Sequence, residues 1–238
     1  MAGFAKWIGG SLGWAFGGPI GGILGFVFGS MLDGATVTTS QSIATTSGDF
    51  SVSLLVLSAA IMKADGKVMK SELDFVKRFF VQSFGEAQAA EKMKLLREIL
   101  KQDIPINDVC LQIKQFMEYS SRLQLLHYLF GLSAADNQYH KSELDLIQSI
   151  ANLLGIRLAD FTSIKAMFVP DIDNAYKILE ITPDATDDEI KKAYRRMAVK
   201  YHPDKVGHLG EDVQNAAKEK FQQLNNAFTD LKKQRGIV

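Results

Sequence analysis

Two stretches of the chain, 71 residues apart, share a pattern of helix, turn and helix that constrains the fold strongly. The first copy reads LLVLSAAIMKADGKVMKSELDFVKRFF from Leu54, and the second reads LLHYLFGLSAADNQYHKSELDLIQSIA from Leu125. Each copy has an apolar run, an acidic turn and the segment KSELD, which opens a second run with helical periodicity. Duplicated helix pairs usually pack as a bundle, so we predict an all-α domain over residues 50–168. Ser71 and Ser142 are the predicted N-caps of the second helices.

The turns of this domain carry carboxylates, but their spacing does not predict a calcium loop. Asp65 and Glu72 match only the second half of an EF-hand loop, since Ile61 and Lys63 occupy positions that need oxygen ligands. We therefore predict no metal site. The carboxylates of these turns are only weak candidates for metal ligands, and they are Asp65, Glu72, Asp136 and Glu143.

The N-terminal segment has glycine at every fourth position from 9 to 29 and no charged residue from Trp7 to Leu32. A continuous helix of this length would exceed the roughly 30 Å hydrocarbon layer, and small residues at this spacing let helices approach closely. Pro19 should kink the helix or start a second one. Residues 1–33 are thus predicted to be a membrane anchor or a helix-pairing segment that supports self-association. The segment is too long and too rich in glycine for a secretory signal peptide.

Residues 34–49 are rich in serine and threonine and lack an apolar period, which predicts a flexible linker between an independently moving N-terminus and the body. Lys6 precedes the apolar segment and no basic residue follows it until Lys63. This distribution favours a cytoplasmic N-terminus and an exported remainder. A hairpin at Pro19 would instead leave both ends on the same side.

The overall charge and the cysteine content exclude some classes of function. Lysine plus arginine equals aspartate plus glutamate at 27 each, so the net charge does not favour nucleic acid as a partner. Cys110 is the single cysteine, which excludes an internal disulfide and a cysteine-cluster metal site. We predict Cys110 to be a small buried side chain.

The C-terminal region from Pro170 onward predicts a separate small helical unit. Thr186 and Glu189 form a capping box before a helix whose buried face carries Ile190, Ala193 and Met197. A later helix shows the same apolar spacing, so the two helices can pair as an antiparallel hairpin. The other side of the first helix is a dense basic strip of Lys191, Lys192, Arg195, Arg196 and Lys200.

A His202-Pro203-Asp204 tripeptide lies between these helices. Pro203 ends the first helix and so presents the tripeptide at the tip of the hairpin. No serine, cysteine or second histidine accompanies His202 in a nucleophile context, and no phosphate cradle or metal cluster is nearby. We therefore predict no catalysis and no cofactor at this tripeptide.

The segments AYKILEI, EIKKAYRRMAVKYHPDK and FQQLNNAF resemble the J-domain of the DnaJ co-chaperone family, over residues 170–238. The resemblance implies a DnaK-type chaperone as partner, whose ATP hydrolysis the J-domain stimulates. It also implies that the tripeptide triggers hydrolysis and that the basic residues bind an acidic surface of the chaperone. The implied partner-binding residues are His202, Pro203, Asp204, Lys191, Lys192, Arg195, Arg196, Lys200 and Lys205.

The duplicated helical domain resembles the TerB-like, tellurite-resistance-associated domain. Together with the glycine-rich N-terminus, the order of domains resembles the DjlA-type membrane-anchored co-chaperones. This resemblance implies a cytoplasmic protein on the inner membrane, held through residues 7–32, with unfolded or membrane proteins as clients. The TerB-like domain would give targeting or regulation. The alternative is a TerB-like metal or stress sensor that uses the J-domain as its output.

Overall fold

The computed structural model describes residues 4–32, 50–136, 140–169, 173–209 and 211–236, and these residues form helices and turns without a β-strand. The prediction of an all-α fold is confirmed. In chain order the α-helices are α1 (Phe4–Leu32), α2 (Phe50–Met62), α3 (Lys70–Ile99), α4 (Ile106–Phe116), α5 (Tyr119–Ser133), α6 (Lys141–Leu153), α7 (Leu158–Ala166), α8 (Asn174–Ile178), α9 (Asp187–Lys200) and α10 (Glu211–Arg235). A 3₁₀ helix, Pro203–Leu209, joins α9 to α10.

Helices α2 to α7 form the central bundle, and α2 is its axis. Every residue of α2 is buried, as expected for a helix that is apolar on all sides. The first helices of the two sequence copies, α2 and α5, pack against each other, and Ser58 and Tyr128 hydrogen bond across this contact with 2.9 Å between their oxygens. Cys110 is fully buried in the same core, as predicted, and burial raises the pKa of its thiol to about 12.

The helices that follow the two acidic turns start earlier than the serine N-caps predicted. Met69 and His140 are the N-cap residues, so Ser71 and Ser142 already lie inside α3 and α6. In the first copy, Glu72 accepts a hydrogen bond from the Met69 amide at 2.7 Å. In the second copy, Glu143 accepts one from the Ser133 hydroxyl at 2.6 Å. The prediction of Ser71 as the N-cap was wrong because Glu72 of the KSELD segment, rather than Asp74, is the acidic residue that bonds to the N-cap residue of α3, which is Met69.

Helix α1 is a hairpin of two arms that breaks at Gly18, whose φ of 62° and ψ of −158° are not helical. The arms are so close that a Cβ on Gly13 would lie 2.0 Å from the Gly21 carbonyl oxygen. Glycine spacing therefore pairs the two halves of this segment with each other. None of the helices in the described part of the chain has the length and apolarity needed to cross a bilayer.

The hairpin packs on α4, where the Gln112 side chain contacts both sides of the break. Gln112 Nε2 donates to the Gly17 carbonyl at 2.7 Å, and its Oε1 accepts from the Ile20 amide at 3.0 Å. One neutral amide thus replaces the backbone hydrogen bonds lost at the break. The predicted independence of the N-terminal segment from the body was wrong, since α1 lies on the bundle. The predicted linker, 34–49, lies outside the described residues.

The C-terminal unit contains α8, α9, the 3₁₀ helix and α10, and it packs on the bundle. Between α9 and α10 the rings of Tyr194 and Phe228 stack with centroids 4.1 Å apart. Helix α10 contacts α3 and α5, and α8 contacts α7. His127 of α5 and Gln223 of α10 hydrogen bond across this boundary at 2.8 Å. The surface next to the tripeptide therefore includes residues of the bundle.

Candidate chaperone-binding site

Helix α9 begins with the predicted capping box and separates an apolar face from a basic one. The Glu189 amide donates to Thr186 Oγ1 at 3.3 Å, and the Thr186 amide donates to Glu189 Oε2 at 2.8 Å. The hydrogen bonds that the Glu189 carboxylate accepts from the Thr186 amide and hydroxyl lower its pKa. The core-facing residues of α9 are Ile190, Ala193 and Met197, whereas Lys192, Arg195 and Arg196 are exposed.

The His-Pro-Asp tripeptide lies at the open end of the hairpin, where α9 stops and the 3₁₀ helix begins. The exposed fractions of the His202 and Asp204 side chains are 49% and 79%. Buried Val206 anchors the turn, and the edge of the His202 ring faces Phe221 with centroids 5.8 Å apart. A hydrogen bond of 3.2 Å from the Asp204 amide to His202 Nδ1 fixes the two residues relative to each other. The tripeptide is therefore both accessible and ordered by local contacts.

The predicted partner-binding residues are not equally accessible. Lys191 is partly buried, and Lys205 is exposed beside a cavity of about 380 Å³ that Tyr119 and Arg157 of the bundle also line. Only 17% of the Lys200 side chain is exposed, and its ammonium forms ion pairs with Asp160 and Glu180. The basic strip thus has an open outer part and an inner end that the bundle covers.

Asp160, on α7, is the centre of a polar group at this boundary, which we call the Asp160 cluster. Its carboxylate has no exposed surface and accepts hydrogen bonds from Tyr119 at 2.6 Å and from Arg157 at 2.9 Å. Burial opposes ionisation of Asp160, but the bonds from Lys200 and Tyr119 outweigh it and lower the pKa of the carboxyl. The cluster consists of Tyr119, Arg157 and Asp160 of the bundle and Lys200, Tyr201 and Lys220 of the C-terminal unit.

Lys220, on α10, is a lysine with almost no exposed surface. Its ammonium lies 4.1 Å from the centroid of the Tyr201 ring, which supplies a cation–π contact. Burial lowers the pKa of Lys220 to about 7, with Asp160 acting in the opposite direction and Lys200 in the same one. The C-terminal unit thus contributes buried positive charge to the contact with the bundle.

The four weak metal candidates lie in the two acidic turns (Asp65 and Asp136) and in the first turns of the helices that follow them (Glu72 of α3 and Glu143 of α6). Asp65, His140 and Glu143 have ligand atoms within 4.8 Å of one another. His140 Nε2 is 3.7 Å from Asp136 Oδ2. Burial, together with the neighbouring carboxylates, raises the pKa of Glu72 to about 7 against the lowering effect of the Met69 amide. Carboxylates and an imidazole suit a divalent cation, although Glu72 and Glu143 already have protein partners.

Sequence reasoning missed Gln112, His140, Asp160 and Lys220. Periodicity assigns polar residues to the solvent side of a helix, so Asp160 and Lys220 gave no sign that they face each other. The one available signal was His140, which directly precedes the second KSELD segment. Its equivalent in the first copy is Met69, so comparison of the copies would have found the difference.

Comparison with known protein families assigns the main parts of the chain. Residues 51–166 match the sequence model of the tellurite resistance protein TerB, and residues 174–236 match that of the DnaJ domain. Residues 1–42 match the model of the co-chaperone DjlA transmembrane domain. In chain order, the segments of this chain therefore match a DjlA transmembrane domain, a TerB domain and a DnaJ domain, and we call the last two the TerB-like domain and the J-domain.

The chain is also similar to individual curated proteins, which include co-chaperones named DjlA and a DnaJ homolog. The co-chaperone protein DjlA of Vibrio parahaemolyticus is 27% identical over 215 residues, which cover 74% of this chain and 75% of the relative. That of Coxiella burnetii is 25% identical over 201 residues, 75% of this chain and 74% of the relative. A DnaJ homolog subfamily A member 1 homolog of Dictyostelium discoideum is 53% identical over 56 residues, 24% of this chain and 12% of the relative. No solved structure matches significantly. The chain resembles the DjlA-type membrane-associated co-chaperones, and these matches support a co-chaperone role.

Proposed function

We propose that the J-domain recruits a DnaK-type chaperone and stimulates its ATP hydrolysis. The observation that carries this proposal is the accessible His202 and Asp204 pair, next to the exposed basic side chains of α9. The chain contributes contacts rather than chemistry, because the nucleotide and the reacting water belong to the chaperone. It is therefore a non-enzymatic activator.

Each part of the site has a distinct proposed role. Lys192, Arg195 and Arg196 attract an acidic surface of the chaperone and orient the encounter. Asp204 offers an exposed carboxylate that can pair with an arginine in a bidentate arrangement. Its backbone bond to His202 holds the imidazole and the carboxylate in one orientation, so Pro203 and the local hydrogen bonds reduce the ordering cost of binding.

The test measures steady-state ATP hydrolysis by a DnaK-type chaperone with the full-length chain. We expect stimulation by the wild type and none above the chaperone's own rate with His202→Gln. The matched control is His208→Gln, because His208 lies in the 3₁₀ helix that directly follows His202 and both histidine side chains are 49% exposed. Stimulation by His202→Gln equal to that of the wild type would contradict the proposal.

We also propose that the protein acts at the cytoplasmic face of the inner membrane, where unfolded or membrane proteins are its clients. The match of residues 1–42 to a transmembrane-domain model supports membrane association. Self-association through the N-terminal segment is a further part of this proposal, and it would use a surface other than the glycine face through which the two arms of α1 already contact each other. Cell fractionation tests the location. We expect the full-length chain in the membrane fraction, and recovery of nearly all of it in the soluble fraction would contradict the assignment.

One observation favours a second candidate function, in which the TerB-like domain senses a divalent cation. The convergence of Asp65, His140 and Glu143 from both copies carries it. Calorimetry of the full-length chain with Ca²⁺, Mn²⁺ and Zn²⁺ tests this candidate, with Glu143→Gln as the site variant and Glu91→Gln as an exposed control. Binding that Glu143→Gln removes and Glu91→Gln retains supports it, and no binding at millimolar metal excludes it.

A further inference from the structure

The contact between the TerB-like domain and the J-domain uses the same kind of charge pairing that the proposed chaperone contact needs. Asp160 of the TerB-like domain is fully buried against Lys200, the last residue of α9. Lys200 directly precedes Tyr201 and the His-Pro-Asp tripeptide, so it is the member of the basic strip nearest to the trigger in sequence. An acidic group of this chain therefore already occupies the inner end of the basic strip.

A second carboxylate extends this arrangement along the surface. Glu118, just before α5, lies 3.7 Å from His208 Nε2 in the 3₁₀ helix. The cavity of about 380 Å³ lies between the two domains and is bordered by Glu118 and Lys205. The TerB-like domain thus places carboxylates opposite positive or protonatable groups on both sides of the turn that carries the tripeptide.

The rest of the basic strip has no such cover. Lys192, Arg195 and Arg196 are exposed, so an approaching acidic surface can contact them without moving the TerB-like domain. To contact Lys200, by contrast, that surface must replace Asp160. The chaperone surface therefore cannot contact Lys200 while the TerB-like domain and the J-domain are docked through Asp160.

The chemistry of the Asp160 cluster suits a contact that opens. Buried ion pairs lose solvation on forming, so their net contribution is smaller than their Coulomb attraction. Burial also penalises the positive charge of Lys220, since it lowers the pKa of this lysine to about 7, and exposure to water on separation of the domains would remove that penalty. Interfaces between domains of one chain resemble transient protein–protein interfaces. An acidic partner that replaces Asp160 would compensate for the lost ion pair.

We propose that the TerB-like domain restrains the J-domain through Asp160, which acts as an internal competitor of the acidic chaperone surface for Lys200. In the closed arrangement the outer strip and the tripeptide allow a first encounter. Separation of the domains frees Lys200 from Asp160 and leaves Glu180, on the same domain as Lys200, as its remaining ion-pair partner. This inference rests on the proposed chaperone-activating function. It adds that the TerB-like domain sets how much co-chaperone is needed for activation.

The experiment compares full-length wild type with Asp160→Asn, Tyr119→Phe and the control Asp108→Asn. Tyr119→Phe removes one hydrogen bond to Asp160, whereas Asp108 is an exposed acid on α4 of the same domain. Two quantities are measured: hydrogen exchange of residues 197–206 without chaperone, and the co-chaperone concentration that gives half-maximal ATPase stimulation. The first reports docking and the second reports activation.

We expect both site variants to speed hydrogen exchange and to lower the half-maximal concentration several-fold, with the maximal stimulation unchanged and the control equal to the wild type. Faster exchange with an unchanged half-maximal concentration would overturn the restraint and leave the proposed function intact. Absence of stimulation by every form would instead contradict the proposed function. The two failures can be told apart because hydrogen exchange is measured without chaperone and reports separation of the domains independently of ATP hydrolysis. If Asp160→Asn unfolds by circular dichroism, Tyr119→Phe and the exposed-site variant Glu118→Gln decide the result.

Discussion

The TerB-like domain contacts its two neighbours in opposite ways. It contacts the N-terminal hairpin through the neutral amide of Gln112 and the J-domain through the charges around Asp160. The Gln112 amide replaces backbone hydrogen bonds that are lost at the break in α1. Removing it therefore leaves only neutral backbone groups, the Gly17 carbonyl and the Ile20 amide, without a partner. The charged contact is different, because removal of one ion leaves others buried without a counter-ion. The two contacts should therefore respond very differently to mutation and to pH.

The largest effect is expected for Asp160→Ala. Loss of this buried carboxylate leaves Lys200 with Glu180 as its remaining ion-pair partner and removes the acceptor that Tyr119 and Arg157 share, which should lower the free energy of unfolding by about 3–5 kcal/mol. The control is Asp187→Ala, because Asp187 is exposed in the first turn of α9, where a carboxylate contributes about 0.3–1 kcal/mol. Urea denaturation followed by circular dichroism measures both. Equal losses for the two variants would show that the charges of the Asp160 cluster do not stabilise the contact.

A smaller effect with a specific pH signature is expected for Lys220→Met. The pKa of Lys220 is lowered from 10.5 to about 7 in the folded chain, so between these values the unfolded chain binds more protons and stability rises with pH. Between pH 7 and 8.5 the wild type should gain about 1–2 kcal/mol relative to Lys220→Met.

The matched control for this prediction is Lys218→Met, since Lys218 is an exposed lysine on the same helix. Urea denaturation at several pH values gives the difference between each variant and the wild type, in which the titration of all other groups cancels. A pH-independent difference for Lys220→Met would mean that the buried ammonium keeps its ordinary pKa. Lys218→Met should show no such slope.

The smallest effect is expected for Gln112→Ala at the neutral contact. The variant removes the hydrogen bonds to Gly17 and Ile20, which should destabilise the docked hairpin by about 1 kcal/mol at any pH from 6 to 9. Gln115→Ala is the control on the exposed side of α4. Hydrogen exchange of residues 10–27 measures the change. Unaltered exchange would indicate that glycine packing alone holds the two arms in place.

The sequence predicted those parts of the molecule that depend on local periodicity. The repeat around KSELD predicted the all-α bundle, and Thr186 with Glu189 predicted the start of α9. The exposed position of His202 followed from Pro203, because a proline after a helix determines where the chain turns. In each case the physical cause lies within a few residues along the chain.

Features that depend on contact between distant segments were not predicted. The pairing of Asp160 with Lys200 joins positions 40 residues apart on different domains, so helical spacing contains no information about it. Gln112 at the break in α1 is a similar case, since the signal at Pro19 predicts a kink but not the residue that satisfies it. The sequence therefore predicted that Lys200, at the inner end of the basic strip, binds the chaperone, and it gave no sign that Lys200 pairs with Asp160 of the same chain.

The most direct measurement of the central claim is single-turnover ATP hydrolysis by a DnaK-type chaperone with saturating full-length chain, comparing wild type, Asp204→Asn and Asp188→Asn. Asp188 is an exposed acid at the start of α9 and serves as the control. We expect the wild type and Asp188→Asn to accelerate hydrolysis and Asp204→Asn to lose most of this acceleration, because its neutral amide cannot pair with a chaperone arginine as a carboxylate does. Equal acceleration by all three would contradict this expectation.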